Sequence, residues 1–95
     1  MLDLATEAEK DIKEAFNWYE SQRQALGMSF LSELESILEQ IQENPQLYAF
    51  AHKTIRRALC KRFPYAVYYI ENQSSIYVLA LLQQRRKPSE WQKRK

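Results

Sequence analysis

The chain has 95 residues, 45% of them hydrophobic and 27% charged, with one glycine and a formal net charge of +2. That length supports one core, so a single domain over residues 1–95 is expected. The composition excludes a disordered chain, and no apolar run approaches the ~20 residues of a membrane span.

Residues 2–5 are apolar enough for a short front strand. The opening Met1-Leu2-Asp3-Leu4 lacks the basic-then-apolar layout of a secretion signal, so a cytoplasmic location is expected. Thr6 followed by Glu9 fits a capping box at a helix start. Ala8, Ile12, Ala15, Phe16 and Tyr19 then recur at the spacing of one helical face, with Asp11, Lys13, Glu14, Asn17 and Glu20 on the other side. Ser21-Gln22-Arg23-Gln24 and Gly27 mark a turn. Phe30, Leu31, Leu34, Ile37, Leu38 and Ile41 form a second stripe, flanked by Glu33, Glu35, Glu39 and Glu43. Asn44-Pro45 ends that helix, because a residue before proline is pushed out of the α region. The two helices read as an antiparallel hairpin.

The second half changes character. Residues 54–62, 65–70 and 76–82 predict three strands, the last two joined by the short polar link Glu71-Asn72-Gln73-Ser74. Their aromatic and aliphatic runs lack polar alternation, which predicts interior strands covered on both faces. The helical hairpin can cover one face; the tail near Trp91, the basic side chains or a partner must cover the other. Leu34, Ile37, Leu38, Val67, Tyr69, Val78 and Leu79 are expected among the most buried residues. The fold class is therefore α+β: a helical hairpin on one face of a small, mainly antiparallel sheet, with room for a short C-terminal helix.

Charge is distributed unevenly. Residues 1–52 hold three Lys/Arg against ten Asp/Glu, whereas residues 53–95 hold eleven Lys/Arg against Glu71 and Glu90. A dipole of this size suits a polyanion or an acidic peptide, although two solvated faces would also produce it. A short antiparallel sheet is expected to gather the basic clusters onto one surface.

The catalytic repertoire is narrow. One His, one Cys and scattered carboxylates do not make a metal-ligand set, and a single glycine leaves no phosphate-cradling loop. No cofactor is expected. Cys60 cannot form an internal disulfide and reads as a small buried residue of a strand. His52 reads as a loop residue. RNA cleavage by the 2′-hydroxyl can be run with Arg, Lys and Tyr alone, which brings forward Lys53, Arg56, Arg57, Lys61, Arg62, Arg85 and Arg86. Each of them also reads as an ordinary solvated charge.

The order helix–helix–strand–hairpin resembles the RelE/ParE toxin superfamily. So do Glu43-Asn44-Pro45 and Lys61-Arg62-Phe63-Pro64-Tyr65 with Tyr68-Tyr69. Val78-Leu79-Ala80-Leu81-Leu82 and Arg85-Arg86-Lys87-Pro88 with Trp91 complete the likeness. It spans essentially the whole chain and falls nearest the ParE-like, plasmid-stabilisation branch. It implies a toxin of a type II toxin–antitoxin module that inhibits DNA gyrase and is neutralised by a cognate antitoxin. One alternative is a RelE-like, ribosome-dependent mRNA endonuclease, with Arg56, Arg57, Arg62 and Arg85 stabilising the phosphate. Another is a family member that binds its antitoxin without toxicity. RelE-like enzymes carry a Tyr or His near the C-terminus, and the tail after Arg86 has neither. Trp91 cannot replace them, since its indole N–H is a donor only. No catalytic residue is therefore assigned, and Arg56, Arg57, Lys61, Arg62, Arg85, Arg86 and Trp91 are the candidate partner contacts.

Overall fold

The computed structural model describes residues 1–85. Strand β1 (Leu2–Leu4) leads into helix α1 (Thr6–Gln22) and helix α2 (Leu26–Glu43). A 3-10 turn (Pro45–Leu47) and strands β2 (Phe50–His52), β3 (Ile55–Leu59), β4 (Tyr65–Asn72) and β5 (Ser75–Gln83) follow. The sheet order is β1-β5-β4-β3-β2. β1 runs parallel to β5, with Leu2 opposite Ile76 and Leu4 opposite Val78. All other pairings are antiparallel. The expected α+β class and helical hairpin are both present.

The core lies between the hairpin and one sheet face. Ala8, Ala15 and Tyr19 of α1 and Phe30, Leu34, Ile37 and Ile41 of α2 are buried against Val67, Tyr69, Val78 and Leu81. Aromatic rings weld the layers together. Tyr19 meets Phe63 edge-on at 4.9 Å, and Phe30 meets Phe63 edge-on at 5.4 Å. Leu38, expected among the most buried residues, is half-buried and packs against this core from its margin.

On the outer face Ile55, Ala66, Tyr68, Leu79, Ala80 and Leu82 form a second buried cluster. The expectation of strands covered on both faces therefore holds. The centre of that face is buried, while Leu59 and Tyr77 remain exposed at its margins.

Several local expectations change. Thr6 is already the first helical residue; the cap position is Ala5, which makes no side-chain capping bond, so the capping box does not form. The strand expected over 54–62 stops at Leu59, because Lys61 and Arg62 turn their backbone N–H groups to Glu33 of α2. His52 lies in β2 rather than in a loop.

Gly27 sits inside α2, not in the turn. The turn is made at Arg23–Ala25, where Ala25 takes the left-handed conformation at φ 70°. Gly27 is required for a different reason. A Cβ there would lie 2.6 Å from Glu20 Cγ and 2.8 Å from Phe16 Cδ1. Its N–H also donates to Glu20 Oε1 at 2.7 Å, tying the two helices together. Gly27→Ala is expected to destabilise the fold by roughly 1–3 kcal/mol, through crowding of the hairpin crossing. Thermal melting checks this, and an unchanged melting temperature would mean that Glu20 and Phe16 move aside freely.

Candidate functional site: the basic end of the sheet

Alternation along β3 sends neighbouring side chains to opposite faces. Arg56, opposite Tyr69 in the register, lies on the helix side. Its Nη1 donates to the Tyr48 carbonyl at 2.7 Å, and its guanidinium stands 3.9 Å from the centroid of the Phe50 ring. Arg57, opposite Tyr68, is exposed on the outer face.

Lys61 and Arg62 occupy the loop between β3 and β4. Glu33 accepts from both of their backbone N–H groups and from Arg62 Nε at 3.3 Å. Burial acts to raise the Glu33 carboxyl. The Arg62 and Lys61 N–H groups and the Arg62 guanidinium outweigh it and hold Glu33 below its ordinary value. The Arg62 side chain nevertheless remains 66% exposed, pinned at its base and open at its tip.

Arg85 follows β5 at the same end of the sheet, where Gln84 N–H donates to the Pro64 carbonyl at 2.9 Å. Lys61, Arg62 and Arg85 are thus gathered at one end. Arg56 and Arg57 are separated from them and from each other by the sheet itself. The single basic surface expected from the sequence is therefore divided. Arg86 and Trp91 lie outside the described residues, as does any C-terminal helix.

The tyrosines bear on catalysis. Tyr68 and Tyr69 are buried, and Tyr65 is half-buried against Tyr19 and Phe30. Tyr69 donates its hydroxyl to the Pro45 carbonyl at 2.7 Å. Its pKa is pushed up to about 12, by burial first, with Tyr48 and Glu71 adding and Arg56 opposing. Cys60, buried as expected, is pushed up to about 12 by burial and then by Glu33. Both groups are raised above their ordinary values, so the unfolded chain loses these protons first. Their contribution is complete below pH 9 and is lost as pH rises through about 12. Denaturation midpoints are expected to fall over that alkaline window, and the fall should flatten in Tyr69→Phe and Cys60→Ala. An equal slope in both variants would refute the assignment.

Three acids that the sequence placed on solvent faces are in fact structural acceptors. Besides Glu33 and Glu20, Asp11 Oδ2 accepts the backbone N–H of Leu81 at 3.1 Å. Only their partners reveal this role, and those partners lie up to 70 positions away. Among the described residues no group of three His, Cys, Asp or Glu could hold a metal ion. No described helix is long and apolar enough to cross a membrane.

Residues 2–88 match the family model of the ParE toxin of type II toxin–antitoxin systems, parDE. The chain belongs to the ParE toxin family. No curated protein sequence matches it significantly. Among solved structures, the chromosomal ParDE TA system from P. aeruginosa superposes with a TM-score of 0.76 at 13% identity. The match covers 86% of this chain and 92% of that one. At that identity the likeness concerns the fold, and it places this ParE-family chain in the same hairpin-on-sheet architecture. Nothing in either comparison assigns Arg56, Arg57, Lys61, Arg62 or Arg85 a role.

Proposed function

We propose that the chain is a single-domain cytoplasmic toxin that inhibits DNA gyrase and is neutralised by a cognate antitoxin. Gyrase and the antitoxin are protein partners, and no small-molecule cofactor enters. Arg57, Lys61, Arg62 and Arg85 are the contact residues on the described part, and Arg86 and Trp91 are the candidates outside it. The supporting observation is that Arg57, Arg62 and Arg85 are exposed while the strand tyrosines Tyr68 and Tyr69 are buried. The basic end can bind and hold an anionic or polar surface, while the buried Tyr69 phenol, given to the Pro45 carbonyl, is withdrawn from proton transfer.

Glu33 fits this reading. By fixing the backbone of Lys61 and Arg62 it reduces the conformational freedom those side chains lose on binding. The test is a supercoiling assay with purified gyrase and purified toxin. Inhibition with accumulating linear plasmid is expected, weakened in Arg62→Ala and Arg85→Ala. Gyrase that supercoils normally at excess toxin would overturn the reading.

A further inference from the structure

β1 stops opposite Val78, and Ala5 ends the pairing by donating its N–H to the Val78 carbonyl at 2.9 Å. Beyond that point no described strand lies beside β5 on this side. Asp11 of α1 takes the place of one, its Oδ2 accepting the Leu81 N–H at 3.1 Å. A further strand would need that same N–H, so the carboxylate closes the edge to backbone pairing.

What remains beside Asp11 is a cleft of about 210 Å³ between α1 and the sheet. Asp11, Glu14 and Trp18 reach it from one stripe of α1, at the three- and four-residue spacing that aligns helical side chains. Tyr65 and Leu81 line it from the sheet. Ala15 lies buried between the longer α1 side chains and has nothing beyond Cβ to fill the space. Small-molecule and cofactor sites occupy roughly 300–1,000 Å³, so this cleft is too small for a nucleotide and suits a single long side chain.

Its chemistry calls for a cation. Trp18 is 57% exposed, and among the described residues its ring meets only Tyr19, edge-on at 5.1 Å. Glu14 is exposed and has no hydrogen-bond or ion-pair partner among the described residues. Arg85 stands two positions past Gln83, which also lines the cleft, yet it forms no ion pair with Glu14. An aromatic face beside a free carboxylate attracts positive charge. A guanidinium suits it better than an ammonium, because its plane stacks on an indole while its N–H fork reaches the carboxylate.

We propose that this cleft binds an arginine side chain of a partner protein, the guanidinium stacked on the Trp18 indole and paired with Glu14. Asp11 adds negative charge while it holds Leu81. The inference goes beyond the toxin reading and does not depend on it, since the cleft selects the charge opposite to the one that the basic sheet end attracts.

The test uses the full chain carrying Trp91→Phe, which leaves Trp18 as the single tryptophan. End-blocked alanine peptides with a central arginine, lysine or citrulline are titrated against the Trp18 indole N–H resonance, with guanidinium chloride as the free cation. The arginine peptide is expected to shift that resonance saturably and to bind about tenfold more tightly than the neutral citrulline peptide. The lysine peptide should fall between them. Glu14→Gln should weaken arginine binding about threefold, and Trp18→Leu, followed at the Leu81 amide, about fivefold. Both positions are exposed, and melting curves establish that the variants remain folded. The inference fails if the arginine peptide gives no saturable shift, or if the citrulline or lysine peptide binds as tightly. It also fails if folded Trp18→Leu binds undiminished. Guanidinium ion binding as tightly as the arginine peptide would mark a site for free cations and overturn the assignment to a partner's side chain.

Discussion

Phe30→Ala is expected to cost about 3–5 kcal/mol, enough to remove most of the stability of a domain this small. The ring is fully buried at the junction of three elements. It lies 5.4 Å from Tyr19 of α1, 5.4 Å from Phe63 of the β3–β4 loop and 5.6 Å from Tyr65 of β4. Removing it opens a cavity whose walls belong to both layers, so neither layer can collapse into it alone. The same truncation at half-buried Leu38 should cost less, because part of its surface is already wet. Urea denaturation of both variants provides the comparison. A Phe30→Ala loss below about 1 kcal/mol would show that the aromatic cluster does not join the hairpin to the sheet.

Induced expression of the toxin is expected to produce double-strand DNA breaks and no codon-linked cuts in translated mRNA. Cleavage of RNA by its 2′-hydroxyl requires a group that protonates the leaving 5′-oxygen, and such a group contributes about 10²–10⁴-fold to the rate. Lys61, Arg62 and Arg85 supply charge at the sheet end. Tyr69, whose pKa burial pushes up to about 12, has its hydroxyl committed to the Pro45 carbonyl. Primer extension on mRNA from induced cells tests this directly. Ribosome-dependent cuts that vanish in Arg62→Ala or Arg85→Ala, with gyrase unaffected, would establish the endonuclease instead.

Periodicity revealed the layers, because burial of Leu34, Ile37, Val67, Tyr69 and Val78 is what drives the hairpin and strands together. Its failures were local, and they share a cause. Thr6 and Glu9 have the residue types of a capping box, but the helix begins one position too early for Thr6 to cap it. Gly27 suggested a turn because glycine is permissive, whereas its role is to let α1 and α2 approach. The left-handed positions went to Ala25, Lys53 and Gln73. In the basic half, residue type indicated a charged surface but not its division. That division follows from the pleat, which separates Arg56 from Arg57, and from Glu33, which draws the β3–β4 loop to the helices. Spacing along one segment cannot register a contact made by another segment far away in the chain.

The parallel pairing of β1 with β5 joins the first strand to the last. Leu2 meets Ile76, and the Ile76 N–H donates to the Met1 carbonyl at 2.8 Å. During synthesis, Leu2–Leu4 must therefore wait until β5 has left the ribosome before their partner exists. The helical hairpin, built from local contacts, can form long before that, since nearby contacts close faster than distant ones. Stalled nascent chains ending before Ile76 are thus expected to remain protease-sensitive at their amino end. A nascent chain would then acquire its finished sheet only after β5 emerges, so a waiting antitoxin would meet the completed surface no earlier than that.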